Sequence, residues 1–276
     1  MKFVRWGLPG AERAGVLDED GRIRDLSSIV ADVDGTALEK LSGLTTVGAL
    51  PLVPGTPRLG PCITGVGKVI CIGLNYADHA AESGVAIPTE PIVFFKAPSA
   101  IAGPNDDLVL PRGSHKVDWE VELCLVIGRR VAYADEAMAR SAIAAYCLIN
   151  DISERAWQLE RGGQWVKGKS ADGFAPLGPW LVTADGIENP SALHLWLEVD
   201  GHRYQDSTTA QMIFKPYFLV SYLSQFMSLQ PGDIIATGTP RGVGLGRKPP
   251  TFLRPGQTIH LGIDGLGTQT QRVVAG

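Results

Sequence analysis

Short apolar runs, punctuated by glycine, proline and aspartate, recur along the chain and read as many β-strands with few helices between them. Residues 2–6 and 14–17 form a predicted hairpin, and Asp18-Glu19-Asp20-Gly21 supplies a second turn before a short strand over 22–26. Short polar helical pieces follow. Pro51, Pro54, Pro57 and Pro61, interleaved with Gly55 and Gly60, then rule out regular structure. That stretch predicts a boundary between a small N-terminal domain, residues 1–65, and a larger one, residues 66–276.

Buried strands are predicted over 68–73 and 91–96, with a short helix over 74–84 stopped by Gly84. Residues 97–113, carrying Pro98, Pro104 and Pro111, read as loop. Over 117–128 the run Val-Asp-Trp-Glu-Val-Glu-Leu-Cys-Leu-Val-Ile-Gly predicts one strand that enters the interior. Residues 135–145 read as helical and lead into a strand over 146–149 that ends at Asn150-Asp151. The polar stretch 153–161 also reads as helical, and Gly162-Gly163 breaks it. A strand and turn over 195–201, a helix around 217–227 and a strand over 234–238 complete the pattern. Strands do not alternate with long helices, which disfavours a doubly wound parallel sheet. The expected class is α+β, strand-rich.

Composition adds limits rather than direction. Apolar residues make up 45% and charged residues 20%, ordinary for a soluble globular chain of 276 residues. A net charge of −4 gives no electrostatic reason to expect nucleic acid or an anionic membrane as partner. No apolar run is long enough for a transmembrane helix, and the first residues lack a signal-peptide core. Cys62, Cys71, Cys124 and Cys147 are scattered without a Cys-x-x-Cys pair. They read as small buried hydrophobes in a reducing compartment, so the expected location is the cytoplasm.

The chemistry concentrates on the 117–128 strand. Side chains on a strand alternate faces, so Glu120 and Glu122 point the same way, roughly 7 Å apart along the backbone. Two carboxylates on one buried face repel each other and lose hydration, at a cost of several kcal/mol per uncompensated ion. A bound cation is the simplest compensation; a half-exposed strand with a wet glutamate face is the alternative. Asp151 alone is an ordinary strand-end turn residue. With Glu120 and Glu122 it completes an all-oxygen set that suits Mg²⁺, Mn²⁺ or Ca²⁺ and disfavours zinc and copper.

His79 and Glu82, three residues apart, share a helix face. They suit a general-base pair for activating water, or are two ordinary polar residues on a surface helix. Residues 163–170 match G-x-x-x-x-G-K-S, but a phosphate loop follows a buried strand and opens a helix. Here a polar helical stretch precedes the match, and the proline-bearing residues 171–179 after it cannot be helical. Nucleotide binding is rejected, while Lys169 remains a candidate anion-binding lysine. The run Thr237-Gly238-Thr239-Pro240-Arg241-Gly242-Val243-Gly244 either lets backbone N–H groups approach a substrate carboxylate or is a tight turn. No Gly-x-Ser-x-Gly elbow or His-Glu-x-x-His helix is present, which argues against α/β-hydrolases and zincins.

Taken in order, Gly73-Leu74-Asn75-Tyr76-Ala77-Asp78-His79-Ala80-Ala81-Glu82, Glu120-Val121-Glu122, Asn150-Asp151 with Arg155 and Gln158, Gly168-Lys169-Ser170 and the 237–244 loop resemble the fumarylacetoacetate hydrolase family. The resemblance covers residue 68 to the C-terminus, and the opening residues resemble the small N-terminal domain many members carry. It implies a mixed β-roll catalytic domain, usually homodimeric, holding Mg²⁺ or Mn²⁺ (Ca²⁺ as a substitute) through Glu120, Glu122 and Asp151. It implies that the His79/Glu82 helix is a lid that orders over substrate, the pair then activating water. It further implies Lys169 in catalysis, and Tyr76, Arg155, Gln158, Gly238 and Thr239 on the substrate's carboxylate and oxo groups.

Members often read Asp-x-Thr-x-Arg where this chain has Asp151-Ile152-Ser153-Glu154-Arg155. Ser153 keeps the hydroxyl, and Glu154 is expected to add negative charge near the site. The implied reaction is hydrolysis of a C–C bond in a 2,4-dioxo acid, an acylpyruvate or a 2,4-diketo-3-deoxy sugar acid such as the L-fuconate. Pyruvate and a carboxylic acid would be released. A 2-hydroxyhepta-2,4-diene-1,7-dioate isomerase or an oxaloacetate-type decarboxylase on the same metal site is the first alternative. A non-catalytic metal- or metabolite-binding protein is the second, and the intact His79/Glu82 pair argues against it.

Overall fold

In the computed structural model, which describes residues 1–276 apart from the side chain of Ser83, the chain builds two main β-sheets with short helices around them. The larger sheet has nine strands, in the order Ile23–Asp25, Arg13–Leu17, Lys2–Trp6, Leu181–Thr183, Ile143–Asn150, Val121–Ile127, Ile234–Ala236, Val69–Gly73, Ile92–Lys96. All its neighbours run antiparallel except Ile234–Ala236 and Val69–Gly73, which are parallel. The second sheet has five strands, ordered His202–Thr208, His194–Val199, Thr258–Ile263, Gly267–Ala275, Leu108–Leu110. Its strands His194–Val199 and Thr258–Ile263 pack on Val121–Ile127. Val121–Ile127 is therefore buried on both faces, which its unbroken apolar run reflects, while His194–Val199 buries only alternate residues. The class is α+β and strand-rich.

The N-terminal hairpin forms as its pattern predicts, Phe3 opposite Val16, and Asp18 turns the chain by accepting the N–H groups of Asp20 and Arg22. Lys2–Trp6 also pairs with Leu181–Thr183, so the opening section extends the same sheet that carries Glu122. Four predicted elements come out differently. The strand expected over 117–128 breaks at Trp119-Glu120. Val117–Asp118 pairs with Ser153–Glu154 in a separate ladder, whereas Val121–Ile127 pairs with Ile143–Asn150. The helix expected over 135–145 ends at Ala142, capped at its start by Asp135. Ile143 switches to strand because Ile127 and its neighbours offer a ladder there. In the polar stretch after Ile152, Ser153–Glu154 is strand and only Arg155–Leu159 is helix. Residues 97–113, read as loop, contain the strands Ile101–Ala102 and Leu108–Leu110, whose partners lie far along the chain. All four cysteines are buried and free, Cys124 directly opposite Cys147. Among the described residues no helix is long and apolar enough to cross a membrane.

Candidate active site

The break at Trp119-Glu120 shapes the site. The Glu120 N–H leaves the ladder and donates to the Asn150 side chain (3.1 Å), while the Asp151 N–H donates to the Glu120 carbonyl (2.9 Å). Register places Glu122 opposite Ile149, so Asp151, just past the end of that strand, comes level with Glu120. The outcome brings together the three residues expected as ligands. Glu120, Glu122 and Asp151 are buried, and one oxygen from each lies within 4.8 Å of the others.

Cations surround two of the three. Lys169 donates to Glu120 Oε2 (2.7 Å) and Asp151 Oδ2 (2.8 Å). Arg155 donates through Nη2 to Glu120 Oε1 (2.7 Å) and through Nε to Asp118 (2.8 Å). Lys96 bonds Asp151 Oδ1 and the Ile152 carbonyl. Glu122 has no cation bonded to it and accepts only the Gly238 N–H, at 2.7 Å. Four buried carboxyl groups (Asp118, Glu120, Glu122, Asp151) thus face three buried cations (Lys96, Arg155, Lys169), and Glu122 is the one left without a counter-cation. Burial alone would raise the Glu120 carboxyl, but Lys169 and Arg155 outweigh it and hold it at about 2. Burial, with Asp151 and Glu120 alongside, pushes Glu122 well above the usual carboxylate range. Burial works against the Lys169 ammonium too, yet Asp151 and Glu120 hold it above an ordinary lysine.

This donor set fits a hard divalent cation. All its donors are oxygen, one of its carboxyl groups lacks a counter-cation, and each oxygen bonded to a lysine or arginine keeps a second lone pair. Glu122, otherwise costly as an ion, is the carboxylate a cation would relieve.

Above this floor lies the helix Ala77–Ser83, which Gly84 ends with a left-handed φ of 65°. His79 Nδ1 lies 3.4 Å from Glu82 Oε2. Glu82 also accepts the Gly242 N–H at 3.0 and 3.1 Å, so the glycine-rich loop latches the helix. Gly246 completes the fit, since a Cβ there would come within 2.7 Å of the Glu82 carboxylate. A second latch runs from the Ser207 hydroxyl to Asp78 (2.7 Å). Burial raises the Glu82 carboxyl, but the His79 and Gly242 hydrogen bonds reverse this and leave it below its ordinary value.

Between this helix and the floor is a cavity of about 760 Å³, lined by His79, Glu82, Glu120, Glu122, Arg155, Gln158, Lys169 and Thr239. Asp151 sits beneath it, fully buried. Two residues expected on the substrate do not line the cavity. Tyr76 is wholly buried at the start of the lid helix, its hydroxyl unpartnered. Gly238 acts one step back, through its N–H to Glu122; its φ of 95° and the 2.8 Å that would separate a Cβ from Asn75 both require glycine. Gln158 accepts from Arg155, and the Thr239 hydroxyl donates to the Val121 carbonyl.

Glu154, expected to charge the site, instead caps the helix Arg155–Leu159. It accepts the Trp157 N–H and those of His115 and Lys116, which spends its carboxylate on backbone. The phosphate-loop match is a single helical turn, Val166–Lys169. Its Gly168 packs where a Cβ would meet the Glu154 carbonyl at 2.4 Å, and that close approach lets Lys169 reach the carboxylates.

Two site residues escaped the sequence reading. Asp118 accepts the N–H groups of Trp119, Gly244 and Leu245 besides Arg155, tying floor to roof. Its signal was present, because it shares the alternate-residue register of Glu120 and Glu122. Lys96 had a weaker one, a lysine closing an apolar strand.

Residues 68–274 match the family described as fumarylacetoacetate (FAA) hydrolase C-terminal. The chain belongs to the fumarylacetoacetate hydrolase family. Among its relatives, a Burkholderia ambifaria protein named "Putative hydrolase" is 58% identical, with 98% of each chain covered. Two solved structures span both classes of chemistry. The 2-hydroxyhepta-2,4-diene-1,7-dioate isomerase from Mycobacterium marinum is 32% identical, with a TM-score of 0.80, covering 100% of this chain and 98% of that one. The maleylpyruvate hydrolase from Sphingobium sp. SYK-6, solved with manganese (II) ion and pyruvate, is 27% identical, with a TM-score of 0.83 and 100% of both chains covered. Family and neighbours support an enzyme.

Proposed function

We propose that this protein is a Mg²⁺- or Mn²⁺-dependent hydrolase that cleaves a C–C bond in a 2,4-dioxo acid, giving pyruvate and a carboxylic acid. The observation that carries the reading is the buried Glu120/Glu122/Asp151 set at the floor of the cavity that the His79–Glu82 pair also lines. Manganese and pyruvate in the maleylpyruvate hydrolase support it by likeness. Bound there, a divalent ion would supply Lewis acidity and a template for the 1-carboxyl and 2-oxo groups.

The chain's own residues do the rest. Arg155, held by Asp118 and Glu120, and Gln158 beside it orient the substrate's carboxylate. Lys169 keeps Glu120 and Asp151 in place and offers positive charge to the oxo end. Glu82, ionised and fixed by Gly242, orients His79 through Nδ1 and leaves Nε2 to take a proton from water. The water oxygen adds to the C4 ketone, and the C3–C4 bond breaks. Its electron pair stays on C3, which then takes up a proton to give pyruvate, while C4 leaves as the carboxylic acid. Homodimer formation and a cytoplasmic location belong to the same proposal; sedimentation in dilute solution tests the first.

Isomerisation is the second reading, favoured by likeness to the M. marinum enzyme. An absorbance assay of acylpyruvates and 2,4-diketo-3-deoxy sugar acids, with Mg²⁺ or excess chelator, separates the two. Metal-dependent loss of the enol band with one pyruvate per substrate consumed establishes the hydrolase. Turnover of a hydroxy-diene-dioate without pyruvate or water uptake overturns it in favour of the isomerase.

A further inference from the structure

The five-stranded sheet reaches the site through its strand His202–Thr208, where Gln205 and Ser207 share a face because strand side chains alternate. Ser207 holds Asp78 of the helix Ala77–Ser83. Gln205 is wholly buried, does not line the cavity, and has no part in the roles assigned above. The ladder shows why an amide stands there. The strand Ile234–Ala236 pairs with Val121–Ile127 only as far as Cys124. Val121, the residue between Glu120 and Glu122, therefore has no ladder partner on that edge, and side chains take the strand's place. The Val121 N–H donates to Gln205 Oε1 (3.0 Å), and the Val121 carbonyl accepts from the Thr239 hydroxyl (2.9 Å). Gln205 Nε2 donates in turn to Thr239 Oγ1 (2.8 Å) and to the Pro240 carbonyl (2.9 Å). These bonds clamp the ladder end to the middle of the glycine-rich loop. To one side of that middle the Gly238 N–H holds Glu122, and to the other the Gly242 N–H holds Glu82.

We propose that Gln205 is a positioning residue for the cation site. By fixing the Val121 backbone together with Thr239 and Pro240, it sets how Glu120 and Glu122 project and where the Gly238 N–H meets Glu122. The inference rests on the reading of the floor as a Mg²⁺ or Mn²⁺ site and adds a residue that touches neither ion nor substrate. The position calls for one acceptor and two donors at the end of a long neutral side chain, and glutamine is the side chain that supplies them. Without the amide, an enclosed N–H and an enclosed carbonyl lose their partners, and the backbone must move to regain them. Here that backbone carries the metal-facing carboxylates, so the loss is felt as metal affinity.

The test is calorimetric titration with Mn²⁺ alone of the unaltered protein, of Gln205→Met and of Ser224→Ala. Ser224 is also buried, and its hydroxyl accepts the Ala134 N–H (2.9 Å), but it lies outside the cavity lining, so its loss strands a buried N–H away from the site. Gln205→Met should weaken Mn²⁺ binding by about tenfold or more, the scale of a lost partner behind a ligand. Ser224→Ala should stay within about twofold of the unaltered protein, since the two sites share no partner. A smaller fall in Gln205→Met, or an equal fall in Ser224→Ala, overturns the positioning role and leaves the floor standing. No Mn²⁺ binding by the unaltered protein overturns the floor reading and the role with it. Should Gln205→Met fail to fold, Gln205→Asn, which keeps the amide but shortens its reach by one carbon, is judged by the same outcomes.

Discussion

On the cavity floor, Glu120 and Asp151 each have both carboxylate oxygens bonded to a buried lysine or arginine. In the helix Ala77–Ser83, Glu82 is held by one backbone N–H and one histidine contact of 3.4 Å, and Asp78 by a single serine hydroxyl. The floor is a closed web in low dielectric, where removing one member strands the others and every charge keeps its place without substrate. The helix is joined by a few partly solvated bonds to segments distant in sequence, as the proposed role of a lid would require. Such a division fits the proposed function, in which the floor holds a cation rigidly while the helix admits substrate and then excludes water.

The contrast can be broken most severely at Glu120. Glu120→Gln leaves Lys169 and Arg155 short of their shared counter-charge, so unfolding in denaturant should show a loss of about 3–5 kcal/mol. Calorimetric Mn²⁺ titration should show binding lost, and kcat/KM should fall by about 10³ or more. Undiminished Mn²⁺ affinity would remove Glu120 from the ligand set. A lid substitution should separate the two regions. His79→Ala is expected to lower kcat by about 10²–10⁴ while Mn²⁺ still binds, and an unaltered kcat would refute the general base.

The smallest effect concerns pH. The Glu82 carboxyl sits below its ordinary 4.5, and a depressed carboxylate contributes stability that is complete above the ordinary value and lost as pH falls through its own lower one. Hydrogen-exchange protection of residues 77–83, corrected for intrinsic rates, should therefore stay level between about pH 5 and 8 and weaken only below that range. Protection that is unchanged as pH falls well below 4.5 would show that Glu82 does not hold the helix.

Much of this arrangement was legible beforehand where the signal is local. Alternation put Glu120 and Glu122 on one face, three-residue spacing put His79 and Glu82 on another, and Gly84 marked the end of the lid. What escaped was set by partners distant in sequence. Ile143 is strand because Ile127 lies beside it, and Glu154 is a helix cap because the His115 and Lys116 N–H groups face it. Lys96 and Asp118 looked like a strand end and a strand start, yet both are wholly enclosed charges. A lysine at such a place is ordinary until burial demands a carboxylate for it.

The sequence by itself determined the strand-rich α+β class, the three carboxylates and the paired histidine, since side-chain period and residue type depend only on neighbours along the chain. The tertiary structure decided the balance of charge: which cation answers which carboxylate, that Glu122 has none, and that Tyr76 and Gly238 stand off the cavity. Coulomb energy and desolvation depend on distance through space and on enclosure, and both arise only when strands from opposite ends of the chain pack together.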